Sequence, residues 1–202
     1  MEIKSVFPSG IGIIKNDSVV LDKKKLLSTL IWKNEPSHQG FFRQSQTNLH
    51  EIEEWQPLTE WIKSQAEIYW TQMGWRCDEL WFTQCWVNDM SSGGNIGLHW
   101  HSNSMISGVY HFLGDDDTGG TVFESTKNIL EFSFQTEIVK NTVYTAGKEV
   151  IPSVQDSLVL FPSYMSHYSQ PNKSPTLRYT LAFNLLPSTL GKENHFNLVK
   201  LK

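Results

Sequence analysis

The sequence predicts a mainly β fold, a sandwich or barrel of short strands, with helices confined to the N-terminal third. Two observations carry this. Before Gly74 the apolar residues recur at helical spacing; from residue 80 onward they fall into strand-length runs separated by turn residues. The strand runs return roughly every ten residues, the rhythm of all-β architectures. Strands do not alternate with long helical segments, so a doubly wound parallel sheet is not expected.

Taken in order, Asp22 caps a helix whose Leu26, Leu27, Leu30 and Ile31 fall on one face. A second helix opens at Pro57, continues through Leu58, Trp61, Ile62, Ala66, Tyr69, Trp70 and Met73, and stops at Gly74. Strands are predicted at residues 80–87, 105–113, 121–124, 134–139, 157–161 and 177–185. Ser91-Ser92-Gly93-Gly94, the run from Asp115 to Gly120, and Pro171-Asn172-Lys173 supply turns. With no repeat or linker, residues 1–202 form one domain: a helical part at 1–79 packed on the sheet, a strand core at 80–186, and a C-terminal extension at 187–202.

Composition limits the function classes. Hydrophobic residues make up 39 % and aromatics 12 %, with eight Trp, which excludes a disordered chain. Net charge is −4 and no basic cluster exceeds Lys23-Lys24-Lys25, so a nucleic-acid signature is lacking, although a nucleotide substrate stays open. Cys77 and Cys85 are too few for a disulfide framework. No apolar run reaches the roughly 18 residues of a spanning helix, and Met1-Glu2-Ile3-Lys4-Ser5 does not open a signal peptide. A cytoplasmic protein without a membrane partner is expected; its oligomeric state is open.

Chemistry concentrates in three histidines and an arginine. In an extended segment His99 and His101 point to one face and Trp100 to the other, as a packing residue. His167 follows the apolar run Leu158-Val159-Leu160-Phe161, so two near-adjacent imidazoles and one distant one can clamp a metal between two strands. Imidazole suits zinc, copper, iron and nickel alike. The bland alternative for the pair is a polar strand end. Arg178 opens an apolar strand 11 residues after His167, with Thr180, Ala182 and Asn184 on its face. A buried guanidinium needs an anion, either a bound carboxylate or a structural Asp or Glu. Thr180 can add a hydroxyl to the same carboxylate.

These pieces together resemble the 2-oxoglutarate/Fe(II)-dependent oxygenase superfamily, in a branch related to prolyl hydroxylases. The resemblance covers residues 80–186 and runs through Trp86-Val87-Asn88, His99-x-His101 and the segment from Ser107 to Leu113. It continues through Gly119-Gly120-Thr121-Val122-Phe123, the segment from Leu158 to Ser163 with His167, and Arg178 through Asn184. It implies a double-stranded β-helix (jelly roll) with the N-terminal helices on its major sheet. His99 and His167 are then iron ligands, and His101 occupies the position where the superfamily usually has a carboxylate. Without ligation by His101 the site would be of the carboxylate-lacking halogenase type. A register using His101 and Asn103 is the weaker option, because an amide is a poor ligand. His111 stands where relatives carry an aromatic that hydrogen-bonds 2-oxoglutarate, and is either a donor to it, a fourth imidazole or a core residue. Asn88 is implied to contact 2-oxoglutarate or substrate, with a turn cap as the alternative. Asp156 replaces a turn glycine, which its tolerance of left-handed backbone permits. The acidic run Asp115–Asp117 reads as a solvated turn, and His38, His50 and His195 receive no role.

The implied activity is that of a dioxygenase using Fe(II), 2-oxoglutarate and dioxygen, in which Arg178 grips the far carboxylate of 2-oxoglutarate and its decarboxylation is coupled to substrate hydroxylation. Asn184, on the face of Arg178, joins the candidate co-substrate residues. Two other readings compete: a three-His cupin-type dioxygenase without 2-oxoglutarate, and a non-catalytic jelly-roll binding module. Arg178 and its spacing from His167 favour the 2-oxoglutarate reading over the cupin type; metal content and a charge-transfer band with 2-oxoglutarate would separate it from the binding module. Substrate-facing loops are expected at 90–97 and 127–141 and in the N-terminal third. They carry no motif that chooses among protein side chain, nucleotide and small metabolite.

Overall fold

Along the long strands buried residues alternate between two faces, and the chain builds two sheets to cover both. The computed structural model describes residues 1–5, 8–33, 42–76, 79–125, 139–140, 142–190 and 199–200. In chain order the elements are β1 Gly12–Lys15, α1 Lys23–Ser28, β2 Phe42–Gln44, α2 Gln56–Gln72, β3 Leu80–Met90, β4 Ile106–Leu113, β5 Thr121–Glu124 and β6 Lys148–Ile151. There follow β7 Ser157–Pro162, β8 His167–Ser169, β9 Arg178–Pro187, and the short pair β10 Thr189–Leu190 and β11 Val199–Lys200. The large sheet is antiparallel in the order β1-β7-β4-β9-β3-β2; the small sheet is β6-β5-β8. This is the expected mainly β, jelly-roll arrangement. Among the described residues no helix is long and apolar enough to cross a membrane.

One face of the large sheet meets the helices. Leu181, Phe183 and Leu185 of β9, Leu158 and Leu160 of β7, and Ile106, Tyr110 and Phe112 of β4 pack against Leu58, Ile62, Ala66, Tyr69 and Trp70 of α2. α2 starts as predicted, with Pro57 in its first turn, and Gly74 ends it at φ 85°. Trp55, fully buried at its start, gives its indole N–H to Thr29 at 2.9 Å. Residues of opposite parity look toward the small sheet: Val159 and Phe161 join Phe123 and Ile151 in a second core, and the rest of that face lines a cavity.

Several expectations need correction. α1 ends at Ser28, because Thr29 folds its N–H and hydroxyl back onto Leu26. Leu30 and Ile31 therefore lie beyond it, and Ile31 is exposed. The N-terminal part also contributes both edge strands of the large sheet, β1 against β7 and β2 against β3. β6 and β8 were not expected. The strand expected at 134–139 falls outside the described residues except for Val139, an exposed bend residue; Cys77 lies outside them too, whereas Cys85 is a buried free thiol. Asp156 does take the left-handed turn, at φ 61°, accepting from Lys23 Nζ at 2.9 Å and from the Tyr110 hydroxyl at 3.0 Å.

Gly108 faces its register partner Phe183, and a Cβ there would come within 2.2 Å of the ring. Phe183 is fully buried and cannot swing away. Gly108→Ala is expected to destabilise the protein by about 1–3 kcal/mol through overpacking, read as a lowered urea midpoint with an unchanged slope; an unchanged midpoint would show that the ring has room to move.

Candidate metal centre

The floor of the cavity is laid down by strand register. Gln44 of β2, Asn88 of β3, Thr180 of β9 and His111 of β4 form one cross-strand row. Met90 pairs with Arg178 on one side of that row; Ala182, paired with Trp86 and Val109, lies on the other. With the segment carrying Ile96, Gly97, Leu98, His99 and His101, and with Thr121, His167, Tyr168 and Ser169 of the small sheet, these residues enclose about 470 Å³. Among the described residues no lining residue is acidic, and Arg178 is the sole Lys or Arg.

His99 and His167 exchange backbone hydrogen bonds in both directions at 2.9 Å, which adds the His99 segment to the edge of the small sheet beside β8. His101 is fixed by its N–H to Ser163 O at 3.0 Å. Each of the three rings offers a nitrogen within 4.8 Å of the others, and His101 Nε2 lies 3.3 Å from His167 Nε2. His99 Nδ1 is 2.8 Å from Gly97 O and His167 Nδ1 is 2.9 Å from Met165 O. A neutral ring nitrogen facing a carbonyl carries the proton, so both rings keep Nε2 free as a ligand atom. Burial pushes His101 down to about 3, with His167 and His99 adding to the effect. Burial also takes His167 down to about 4, against the raising effect of the Met165 carbonyl. Both imidazoles are therefore neutral near pH 7, the form that binds metal. The donor set fits a divalent transition metal, and among the described residues it contains no carboxylate.

Arg178 is 2 % exposed. One terminal nitrogen donates to the carbonyls of Thr118, Gly119 and Gln170, the other contacts Met90 Sδ, and Nε has no partner. Burial lowers its pKa to about 10, still far above neutral. Among the described residues no carboxylate pairs with it, and the structural salt bridge weighed from sequence is not found there. His111 is buried beside it, with Nδ1 2.9 Å from Ser153 Oγ and Nε2 unpartnered. Burial, and then the Arg178 cation, push His111 down to about 4. The far end of the cavity thus holds a fixed positive charge with unfilled hydrogen-bonding positions, the fit a carboxylate requires.

The other candidates are placed as follows. Thr180 lines the cavity in the central row. Asn88 also lines it from within β3, not as a turn cap, and its carboxamide oxygen accepts from the Trp86 indole at 3.0 Å. Asn184 does not reach the cavity; its amide is engaged by Ser107 at 2.8 Å and Gln84 at 3.2 Å, which removes it from the co-substrate set. Trp100, expected as a packing residue, is instead 67 % exposed. Asn103 is an exposed left-handed turn residue at φ 54°, and the rings that converge are those of His99, His101 and His167. Asp115 caps its own turn and accepts from Ser174 at 2.6 Å and Thr176 at 2.9 Å, a structural use of the acidic run. His50 stacks on Phe82 away from the cavity; His38 and His195 lie outside the described residues, as does most of the loop expected at 127–141. Sequence reasoning gave no role to Trp86, whose ring centroid is 6.3 Å from that of His101, although its period-2 relation to Asn88 marks it. Ser153 carries no sequence signal, because its turn is joined to His111 by tertiary structure alone.

Residues 84–184, half of the chain, match the family described as "Putative 2OG-Fe(II) oxygenase". No curated protein matches the sequence. Among solved structures, a prolyl hydroxylase from Trichoplax adhaerens in complex with a hypoxia inducible factor peptide fragment is similar at TM-score 0.57 and 16 % identity. That match covers 88 % of this chain and 84 % of the other. A Pseudomonas putida prolyl-4-hydroxylase is similar at TM-score 0.56 and 11 % identity, over 87 % of this chain and 92 % of that one. HygX from Streptomyces hygroscopicus, with nickel, 2-oxoglutarate and hygromycin B bound, gives TM-score 0.55 and 9 % identity, over 89 % and 84 %. At these identities the structures show a shared fold.

The buried histidines make stability depend on pH. His111 has a folded-state pKa of about 4, below the ordinary 6.5, so the unfolded chain binds its proton more readily. Its contribution is intact above about pH 6.5 and is lost as pH falls toward 4. For the metal-free protein we expect denaturant stability to fall by about 2 kcal/mol between pH 7 and 4.5 from His111 alone, with His101 and His167 adding in the same direction. In His111→Phe the fall should be smaller; an equal fall in both proteins would show that His111 is not held neutral.

Proposed function

The chain belongs to the 2OG-Fe(II) oxygenase family, and from that premise we propose that it hydroxylates its substrate at an iron held by His99, His101 and His167, with Arg178 anchoring the far carboxylate of 2-oxoglutarate. It is a 2-oxoglutarate-dependent non-haem iron dioxygenase, with Fe(II) as metal and 2-oxoglutarate and dioxygen as co-substrates. When bound, these supply an oxidant through decarboxylation of 2-oxoglutarate to succinate, and the oxidant takes hydrogen from a C–H bond.

One observation carries the assignment of residues: a buried guanidinium without a carboxylate partner among the described residues stands in the same cavity as three converging imidazoles. Arg178 binds and orients the far end of the dicarboxylate, with Thr180 and His111 beside it in the sheet. The carbonyls of Gly97 and Met165 hold the protons of His99 and His167 on Nδ1 and so aim Nε2 inward. Phe42, Trp86, Met90, Ile96, Leu98 and Val109 give the cavity apolar walls that limit water. A cofactor-free three-His dioxygenase would leave Arg178 without a task.

The Trichoplax protein is in complex with a peptide and HygX has hygromycin B bound, so the fold accommodates both kinds of partner. For this chain protein side chains, nucleotides and small metabolites remain candidates. The absence of acidic lining residues supports a neutral or anionic substrate over a cationic one. Work in the cytoplasm belongs to the same proposal, supported by the buried free thiol of Cys85.

Succinate formation with Fe(II) and 2-oxoglutarate under air tests the proposal. Loss of an outer-shell partner of a metal ligand costs about 10–100-fold, so His99→Ala or His167→Ala should lower the rate by more than that. Wild-type turnover in either variant would refute the ligand assignment. Arg178→Ala should raise the 2-oxoglutarate concentration needed for half-maximal rate by about 100-fold, as expected when one partner of a buried charge pair is removed; an unchanged requirement would remove Arg178 from the site.

A further inference from the structure

Two buried nitrogens of residues that line the cavity, Nε2 of His111 and Nε of Arg178, have no partner among the described residues. Their residues are 3 % and 2 % exposed and lie on adjacent strands, His111 being in register with Thr180. The guanidinium Nε–H is a donor only. What His111 offers depends on which ring nitrogen carries its proton, and the one polar contact on the ring is Ser153 Oγ, 2.9 Å from Nδ1.

We propose that Ser153 is a positioning residue for the co-substrate: its hydroxyl donates to His111 Nδ1, so that the ring keeps its proton on Nε2 and completes, with Arg178 Nε, a two-donor clamp for the far carboxylate of 2-oxoglutarate. The inference rests on the 2-oxoglutarate assignment above. Ser153 sits in the turn between β6 and β7, and this turn holds His111 twice, since the Asp156 N–H also donates to His111 O at 2.8 Å. Asp156 is in turn tied to Lys23 and Tyr110, so the serine is presented by an anchored turn.

The opposite arrangement, with Nδ1–H donating to Ser153, would aim the Nε2 lone pair at the cavity. A carboxylate held by Arg178 would then face another acceptor, and both would stay unsatisfied. A doubly protonated ring would present N–H at both nitrogens and leave Ser153 dispensable, but burial beside Arg178 keeps the ring neutral. With a neutral ring a carboxylate at Nε2 calls for the proton there, and the Ser153 hydroxyl is the group placed to donate to the Nδ1 lone pair that this leaves.

The test uses the full chain loaded with Zn(II), which is diamagnetic and does not turn over. Titration with 2-oxoglutarate by calorimetry gives affinity, and long-range ¹H–¹⁵N spectra of the imidazoles give the tautomer. We expect the His111 proton on Nε2 in the wild-type complex. Ser153→Ala should weaken 2-oxoglutarate binding by about five- to tenfold, the value of one hydrogen bond, without changing Zn(II) affinity, and Ser153→Thr should restore it. A proton on Nδ1 in the wild-type complex, or an unchanged affinity in Ser153→Ala, would overturn the positioning role while leaving the 2-oxoglutarate assignment intact. Failure of the wild-type protein to bind 2-oxoglutarate would overturn both. If Ser153→Ala does not fold, the wild-type tautomer decides.

Discussion

A cation buried without a counter-ion is the constraint on which the rest of this structure depends. Placing a charge in a low-dielectric interior costs several kcal/mol unless hydrogen bonds and an opposite charge offset it. Arg178 has the hydrogen bonds, from carbonyls of two loops, but no opposite charge among the described residues. Its neighbourhood is consistent with an anion that arrives from outside. The adjacent imidazole is held neutral, the cavity lining is free of acids, and the strand bearing Arg178 gives its other face to the helix-packed core.

The imidazole cluster solves a different problem, that of holding a metal without a charged ligand. The register between His99 and His167 is a backbone property, set by two hydrogen bonds, so the spacing of these ligands is as rigid as the sheet. His101 enters from two residues away on the same segment. If these three imidazoles hold it as proposed, a divalent metal is one charge more positive than with two imidazoles and a carboxylate. That surplus favours a dianionic co-substrate and places the electrostatic attraction at both ends of the cavity.

Much of this was legible in the sequence where local pattern and tertiary demand coincide. β3, β4, β7 and β9 are runs long enough to be recognised alone, the turn glycines before β5 mark its start, the cap of α1 follows from Asp22, and the start of α2 follows from Pro57. β1, β2, β6 and β8 have only three or four residues each and exist because a partner strand is already in place. At the site, His99, His101 and Arg178 were readable because period 2 fixes which side chains share a face. Asn184 obeys the same period yet is withdrawn by Ser107, a neighbour across the sheet that sequence spacing does not reveal. Trp100 shows the same limit: alternation separated it from the histidines, but did not reveal that its segment joins the edge of the small sheet, where Trp100 is exposed.

The central claim is that one cavity joins an all-imidazole iron site to a carboxylate anchor at Arg178. Anaerobic titration of the Fe(II)-loaded protein with 2-oxoglutarate, followed by visible absorption, tests it most directly, because chelation of the iron by the keto acid produces a metal-to-ligand charge-transfer band. The account predicts a band that grows to saturation and that demands far more 2-oxoglutarate in Arg178→Ala. Iron that stays bound while no band appears, or a band indifferent to Arg178, would contradict it.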